Sequence, residues 1–243
     1  MKTFKILSGV FTLIFILTFN TKCAKTDDVE PIVLNSNSDN DSTNNDTTSV
    51  TVADDTVYIS SSISAIDFGF LLNEVLYDPS NNSLEGDANG NGEYVHNDDE
   101  FVEFVNTTSS CIDISGCKIF DDDSYASFTH KHQFPNNTFV NPNQAVVVFG
   151  GPQGATFDSS SFGNSLVFTA SDAVLNLNNS GDKMWFTDSS NHVLIEFDVT
   201  PLSNNPNESY TRNPDLTGDF EQHTSAFGGV LFSPGTKIDG SPF

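Results

Sequence analysis

The stretch FGFLLNEVLYDPSNNSLEGDANGNGEYVHNDDEFVEFVN, from Phe68 to Asn106, decides the fold of this chain. It opens with the run FLLNEVLY and closes with the run EFVEFVN, and both runs are short, apolar and rich in β-branched and aromatic residues. Such runs, bounded here by Asp-Pro and Asn-Thr turn signals, predict two β-strands. The residues between them are mostly Asn, Asp, Gly and Ser. The stretch is therefore predicted to be a polar loop held between two strands.

This loop has the spacing of a calcium-binding loop. Asp87, Asn89, Asn91 and Gly92 stand at positions one, three, five and six of a D-x-N-x-N-G pattern. In such a pattern alternate residues direct oxygen atoms inward, and glycine permits the sharp turn. The sequence therefore predicts a Ca²⁺ site. Its predicted ligands are the side chains of Asp87, Asn89 and Asn91, the backbone carbonyl of Glu93 and, as the closing carboxylate, Asp98, for which Asp99 or Glu100 is an alternative.

The amino-terminal residues resemble a bacterial export signal. Residues 1–22 have two lysines near their start, Lys2 and Lys5, and the apolar run that follows is shorter than a membrane-spanning helix requires. Cys23 comes next and is followed by Ala-Lys-Thr-Asp-Asp, which resembles the start of a lipoprotein destined for the outer face of the outer membrane. We therefore expect a lipid on Cys23 as the only link to a membrane, with simple secretion as the alternative.

Composition divides the rest of the chain into a tether and a domain. Residues 23–65 are rich in Ser, Asn, Asp and Thr and have little to bury, so we expect a disordered linker. Residues 66–243 have the length of one domain. The chain has 33 acidic and 9 basic residues, a net charge of −24. This charge repels phosphate backbones and disfavours binding to nucleic acid.

The domain is predicted to be an all-β sandwich. No long segment repeats apolar residues with the period of a helix, and 22 phenylalanines in the chain supply core volume. The part after Pro201 is irregular but keeps several aromatic residues, so we expect it to pack back on the sandwich. Strands are predicted at 70–77, 101–105, 118–120, 145–149, 166–169, 174–177, 183–187 and 193–198.

Several motifs, taken in order, resemble the lamin-tail domain in its bacterial, exported form. They are LLNEVLYDP (71–79), DEFVEFVN (99–106), DISG (113–116), LNNSGDKMWFTD (177–188), YTRNPDLTGDF (210–220) and FSPGTKIDG (232–240). The resemblance implies an immunoglobulin-like β-sandwich that serves as a binding module and has no catalytic centre of its own.

Two alternatives are open for Cys117, which stands where this family usually has a tryptophan. With Cys23 acylated, Cys111 and Cys117 remain as a pair in an oxidising compartment. A disulfide between them requires the chain to bend at Ser115–Gly116, because in a straight strand the two residues lie beyond its reach. Alternatively, Cys117 fills the tryptophan's core position as a small apolar group.

Three other patterns are candidates for chemistry. Glu74, Glu100 and Glu103 are predicted to bind buried backbone groups or to complete the metal loop, because Glu100 and Glu103 face opposite sides of one strand. His130 and His132 share a strand face, as in half of a zinc site, but no third ligand with a matching pattern accompanies them. The aromatic candidates for a glycan-binding platform are Trp185 and Tyr210.

Three functions agree with this sequence. The first is a non-catalytic cell-surface lipoprotein that binds a protein or glycan, or acts as a scaffold, through a calcium-stabilised sandwich. The second is a metal-dependent hydrolase, or an accessory subunit of one, that uses the calcium loop or the acidic turn 121–123 as its metal site. The third is a structural or adhesion component of the cell envelope. The sequence has neither a G-x-S-x-G elbow nor a phosphate-binding loop motif.

Overall fold

The computed structural model of the chain describes residues 56–58, 68–172, 174–202, 204 and 206–243. The predicted signal segment, Cys23 and most of the predicted linker lie outside the described residues. No helix in the described part of the chain is long and apolar enough to cross a membrane.

The strands are β1 Thr56–Tyr58, β2 Phe70–Leu76, β3 Phe101–Asn106, β4 Cys111–Asp113, β5 Lys118–Asp121, β6 His132–Gln133, β7 Phe139–Val140, β8 Ala145–Phe149, β9 Leu166–Thr169, β10 Lys183–Thr187, β11 Val193–Asp198, β12 Tyr210–Asn213 and β13 Asp219–Gln222. The helices are single turns: α1 His96–Asp99, α2 Asp122–Tyr125, α3 His223–Ala226 and the 3₁₀ turns Ser159–Phe162 and Thr200–Leu202.

The strands form three sheets. The largest has the order β13-β12-β2-β3-β8-β9, the second has the order β11-β10-β5-β6, and a small third sheet has the order β1-β4-β7. The pairs β8–β9 and β1–β4 are parallel, and the other pairs are antiparallel. The prediction of an all-β sandwich is confirmed.

The inner core lies between the six-stranded and the four-stranded sheet, and aromatic rings fill its centre. The ring of Phe186 lies 5.2 Å from that of Phe104, 5.3 Å from Phe70 and 5.8 Å from Phe134, measured between ring centroids. All four side chains are buried. Because each buried phenylalanine contributes roughly 1.5–3 kcal/mol, this cluster is the largest single source of cohesion between the sheets.

A β-bulge at Asn73 changes which face of the six-stranded sheet the β2 side chains occupy. Leu72 pairs with Phe104 and Glu74 pairs with Glu103, so Asn73 is the extra residue. Before the bulge, even-numbered side chains such as that of Leu72 enter the inner core, and after it odd-numbered ones such as that of Val75 do. The bulge therefore turns Glu74 to the outer face of the sheet.

The outer face of this sheet is covered rather than solvated. A second apolar cluster there contains Phe101 and Phe149 from the sheet and Phe162 from the segment that joins β8 to β9. Phe232 of the carboxy-terminal segment packs against the same cluster. The expectation that the carboxy-terminal part packs back on the sandwich is confirmed.

The strand predicted at 174–177 is wrong. These residues pair with no strand, and Asn176 has a left-handed φ of +62°, although Leu175 and Leu177 are buried in the inner core. The backbone N–H of Leu177 donates instead to the Glu100 carboxylate, at 3.2 Å. A side chain therefore satisfies the donor that a neighbouring strand would otherwise have bound.

Of the two alternatives for Cys117, the disulfide with Cys111 is contradicted. Cys117 is a free, buried thiol of the inner core. Cys111 begins β4, and the chain turns at Gly116 (φ +74°) before Cys117 leads into β5 of another sheet. Cys117 thus fills the core position as a small apolar group.

Burial makes the Cys117 thiol unreactive. It raises the pKa of Cys117 to about 12, with smaller contributions of the same sign from Asp188 and Asp113. Because the thiolate is the reactive form, we expect no labelling of Cys117 by Ellman's reagent in the native chain and rapid labelling in denaturant. Stoichiometric labelling in native buffer would contradict this placement.

His132 is a buried histidine without an ordinary hydrogen bond. Its ring packs edge-on against Phe134 with centroids 4.5 Å apart, and neither ring nitrogen has a hydrogen-bond partner. Burial lowers the pKa of His132 to about 4, against a smaller opposing effect from the backbone of Thr169. The imidazole is therefore a neutral core group, and half a zinc site with His130, which the sequence offered only as an alternative to a surface strand, is not supported.

This histidine predicts a loss of stability in mild acid. The unfolded chain binds a proton at His132 near pH 6.5, but the folded chain does so only near pH 4, so the free energy of unfolding falls as the pH falls through this window. The size of the effect is about 3 kcal/mol. In urea titrations at pH 7 and pH 4, His132→Leu should remove this component of the pH dependence. If wild type and His132→Leu differed in unfolding free energy by the same amount at pH 7 and at pH 4, the assignment would be refuted.

Candidate metal site

The predicted calcium loop forms a tight turn with its oxygen atoms on the inside. The carboxylate of Asp87 accepts hydrogen bonds from the backbone N–H groups of Asn91, at 3.1 Å, and Gly92, at 2.8 Å. Gly90 and Gly92 have φ values of +70° and +89°, which non-glycine residues rarely adopt. The predicted turn between positions one and six is therefore present.

The two asparagines of the pattern stabilise the same turn. The Oδ1 atom of Asn89 accepts from the N–H of Asn91 at 3.0 Å, and the Oδ1 atom of Asn91 accepts from the N–H of Glu93 at 2.8 Å. Asn89 is buried, whereas Asn91 and Glu93 are exposed. The side-chain oxygen atoms of Asp87 and Asn89 thus share one donor, the N–H of Asn91, while that of Asn91 binds the next turn of the loop.

Of the two adjacent aspartates, Asp99 is bonded to the loop. The short helix α1 turns the Asp99 carboxylate back to accept from the backbone N–H of Asn89, at 3.2 Å, and of Val95, at 2.8 Å. The Asp98 carboxylate lies against Gly151, because a Cβ atom added there would overlap it. The contacts therefore favour the alternative Asp99 as the closing carboxylate, and the choice of Asp98 stays a prediction.

The Asp99 carboxylate lies in an environment that disfavours its charge. The residue is fully buried. Burial, and to a smaller extent the negative charge of Asp87, raise the pKa of Asp99 to about 6, while backbone hydrogen bonds from Val95 and Asn89 oppose the rise. A cation between the two carboxylates would remove their repulsion and favour the ionised form of Asp99.

Glu100 points away from the loop. Its carboxylate accepts from the backbone N–H of Leu177 and lies 3.7 Å from the imidazole of His96. Burial raises the pKa of Glu100 to about 8. Glu100 therefore binds a buried backbone group, which is the first of the two roles predicted for it, and is not a substitute ligand.

The residues that meet in this turn fit a hard cation such as Ca²⁺. Two carboxylates, Asp87 and Asp99, and two amide oxygens, those of Asn89 and Asn91, are the ligand types that Ca²⁺ prefers. No group of three or more His, Cys, Asp and Glu side chains suited to a metal ion occurs in the described part of the chain. The candidate site therefore depends on the amide oxygens as well as the carboxylates, and a centre for a metal-dependent hydrolase finds no support.

The acidic turn 121–123 has a structural use. Asp121 caps helix α2 by accepting from the backbone N–H of Ser124 at 2.8 Å, and it forms an ion pair of 3.3 Å with Lys131. Asp122 and Asp123 are exposed. The turn thus begins a helix and has its own positive partner, so the sequence-based alternative of a metal centre here is not supported.

A pair of buried carboxylates is the polar feature that sequence reasoning missed. Glu74 and Glu103 lie directly opposite each other on β2 and β3 and are fully buried on the outer face of the sheet. Burial raises the pKa of Glu74, and burial together with the Glu74 carboxylate raises the pKa of Glu103 well above its usual range. Spacing along one strand could not reveal this pair, because it depends on the register across the bulge.

These carboxylates hold the carboxy-terminal segment on the sheet. Glu74 accepts hydrogen bonds from the backbone N–H of Ser233 at 2.9 Å and from the hydroxyls of Ser233 and Ser209 at 2.7 and 2.6 Å. Glu103 accepts from the backbone N–H of Gly235 at 2.6 Å. Both glutamates therefore have the predicted role of binding buried backbone groups.

The aromatic candidates Trp185 and Tyr210 are both buried. The ring of Trp185 is covered by Tyr125, which stacks on it with centroids 4.5 Å apart. The hydroxyl of Tyr210 bonds to the side chain of Asn204 at 2.9 Å, and its ring packs in the inner core. Neither ring offers a face to a glycan, so this prediction is wrong.

The sandwich and its covering loops define an immunoglobulin-like β-sandwich module. The family model of the lamin tail domain matches residues 70–200, more than half of the chain, and the chain therefore belongs to the lamin tail domain family. This confirms the resemblance drawn from the motifs. No curated protein shows significant similarity to the chain. The segment anchored by Glu74 and Glu103 lies beyond the matched residues.

Proposed function

We propose that this chain is a non-catalytic binding or scaffold module, carried on the cell surface as a lipoprotein and stabilised by one Ca²⁺ ion. The observation that carries the proposal is that side-chain oxygen atoms of Asp87, Asn89, Asn91 and Asp99 all accept backbone N–H groups of one loop of a lamin tail domain. A family of non-enzymatic modules supports the binding role over the alternative of a hydrolase.

The bound ion would serve the fold and not a reaction. It would draw together the turn that follows β2 and the helix that precedes β3, because Asp87 lies in the turn and Asp99 ends that helix. These two strands are neighbours in the centre of the largest sheet. The ion would thus hold the polar loop that joins β2 to β3 in one conformation. A ligand bound nearby would then lose less conformational entropy in ordering that loop.

Titration calorimetry with matched variants tests the ion. The wild type should bind one Ca²⁺ per chain, Asp87→Ala should lose the binding heat, and Asp98→Asn should keep it, because the Asp98 carboxylate faces Gly151. Absence of calcium heat in the folded wild type at millimolar calcium would refute the site. Equal loss in Asp87→Ala and Asp98→Asn would refute this choice of ligands.

Metabolic labelling tests the surface anchor. Labelled palmitate should enter the wild-type chain when it is expressed in a Gram-negative bacterium, and Cys23→Ala should abolish the label. Protease added to intact cells should then remove the wild-type domain. The intact mass of the amino-terminal peptide reports the acyl group on Cys23 independently of the label. An unlabelled wild type would leave a secreted module as the conclusion.

A further inference from the structure

A cleft lined by amides and aromatic rings lies at the open edge of the sandwich. It is bordered by β7 and β9, each the last strand of its sheet, and by the turn that leads from β6 to β7. Its volume is about 500 Å³, within the range of small-ligand sites. Its lining consists of Pro135, Asn136, Asn137, Thr138, Phe139, Asn141, Gln144, Leu166 and Phe168.

The lining contains no charged residue, although the whole chain has a net charge of −24. Four of the nine lining residues have side-chain amides, each able to donate and to accept hydrogen bonds. Those of Asn136 and Asn137 are exposed and make no hydrogen bond to another described residue. The cleft therefore offers neutral, two-way hydrogen-bonding groups and no charge to select an ionic ligand.

The other amides of the cleft are held in place. The Gln144 Oε1 atom accepts from both the backbone and the side-chain N–H of Asn141, at 3.0 and 2.9 Å. The Gln144 Nε2 atom donates to the carbonyl of Asn164 at 3.1 Å. Side chains fixed in this way lose little entropy when a ligand binds, and the adaptable Asn136 and Asn137 lie opposite them in the same cleft.

The apolar part of the cleft comes from half-buried rings. Phe168 packs edge-on against the buried Phe134, with centroids 5.5 Å apart, and so is supported from inside the sandwich. Phe139 and Leu166 are also half-buried in the lining. Aromatic faces beside hydrogen-bonding amides suit a ligand with both C–H surfaces and hydroxyl groups.

A second cleft extends the first. It has a volume of about 360 Å³, shares Pro135 and Asn136 with the first cleft, and adds Gln133 and Ser171. Its polar side chains are those of His130, Gln133, Asn136 and Ser171, and no Asp, Glu, Lys or Arg lines it. A ligand longer than one ring can therefore pass across the shared residues from one cleft to the other.

We infer that this double cleft binds a neutral oligosaccharide. Uncharged sugars combine hydroxyl pairs, which match amide side chains, with C–H faces, which match Phe139 and Phe168. An acidic polysaccharide is opposed by the charge of the chain and finds no lysine or arginine among the lining residues. The inference rests on the proposed binding role and specifies its ligand class, but it does not depend on the calcium site.

Calorimetry on the full calcium-loaded chain tests the inference. The neutral probes are the hexamers of cellulose, maltose-type glucan, laminarin-type glucan and chitin, and hexagalacturonate is the acidic probe. The test variant is Asn136→Ala with Asn137→Gly, since glycine keeps the left-handed φ of +65° at position 137. The matched control is Asn81→Ala with Ser83→Gly, which changes an exposed amide and a left-handed residue outside the cleft.

At least one neutral hexamer should bind the wild type. Its dissociation constant should be about tenfold or more higher for the test variant and unchanged for the control. Failure of all four neutral hexamers at millimolar concentration would overturn the inference, as would equal binding by the test variant or preferential binding of hexagalacturonate. If a peptide or protein array then yields a ligand, the binding role stands and only the glycan assignment falls. If no array yields one, the binding role itself falls.

Discussion

Replacing Glu74 with alanine is expected to lower the free energy of unfolding by about 4 kcal/mol. The change removes the acceptor of three hydrogen bonds from Ser209 and Ser233 and leaves the backbone N–H of Ser233 without its partner in a buried site. Urea denaturation at pH 7, followed by circular dichroism, measures the loss. The carboxy-terminal segment should become protease-sensitive in the same variant, because Glu74 is one of its two anchors.

The neighbouring Glu103→Gln is the informative comparison. Burial and the Glu74 charge raise the pKa of Glu103 well above its usual range, which favours the neutral form of its carboxyl. Glutamine has the same shape and carries no charge, and we expect it to cost about 1 kcal/mol or less. Glu85→Ala, at an exposed position, controls for the loss of a surface charge. Equal losses of unfolding free energy in Glu74→Ala and Glu103→Gln would contradict a Glu103 carboxyl that favours its neutral form.

Phe186→Ala is expected to cost about 3–5 kcal/mol, which for a domain of this size threatens folding at 37 °C. The phenyl ring of Phe186, in the four-stranded sheet, contacts Phe70 and Phe104 of the six-stranded sheet, and the cavity left behind cannot close without moving strands. Phe128→Ala makes the same chemical change at a ring that is 57% exposed, and we expect it to cost less than about 1 kcal/mol. Thermal unfolding of the two variants would disprove the proposed core if their losses were equal.

Much of the fold could be predicted from the sequence because its strands are short and end at turn residues. The strands at 145–149, 166–169, 183–187 and 193–198 have the predicted bounds. What periodicity cannot supply is pairing: nothing in Leu166–Thr169 alone indicates that this strand runs parallel to β8. The predicted strand at 174–177 failed for a related reason, since its backbone is bound by the distant side chain of Glu100.

The candidate metal site was predictable up to its sixth position. The turn from Asp87 to Gly92 depends on local hydrogen bonds and on glycine, and both can be read from spacing. The closing residue depends on how α1 packs. Its short turn directs Asp99 inward and places Asp98 against Gly151, a contact between residues far apart in sequence. Local pattern therefore identified the loop but could not show which of the two adjacent aspartates bonds to it.

The melting temperature of the wild-type chain with saturating calcium and with chelator tests the central claim most directly. At a calcium concentration a hundredfold above the dissociation constant, binding adds about 2.7 kcal/mol. This corresponds to a rise of roughly 5–10 °C for a domain of this size. The account predicts this rise in the wild type and in Asp98→Asn, and none in Asp87→Ala. Equal melting temperatures of the wild type in calcium and in chelator would contradict it.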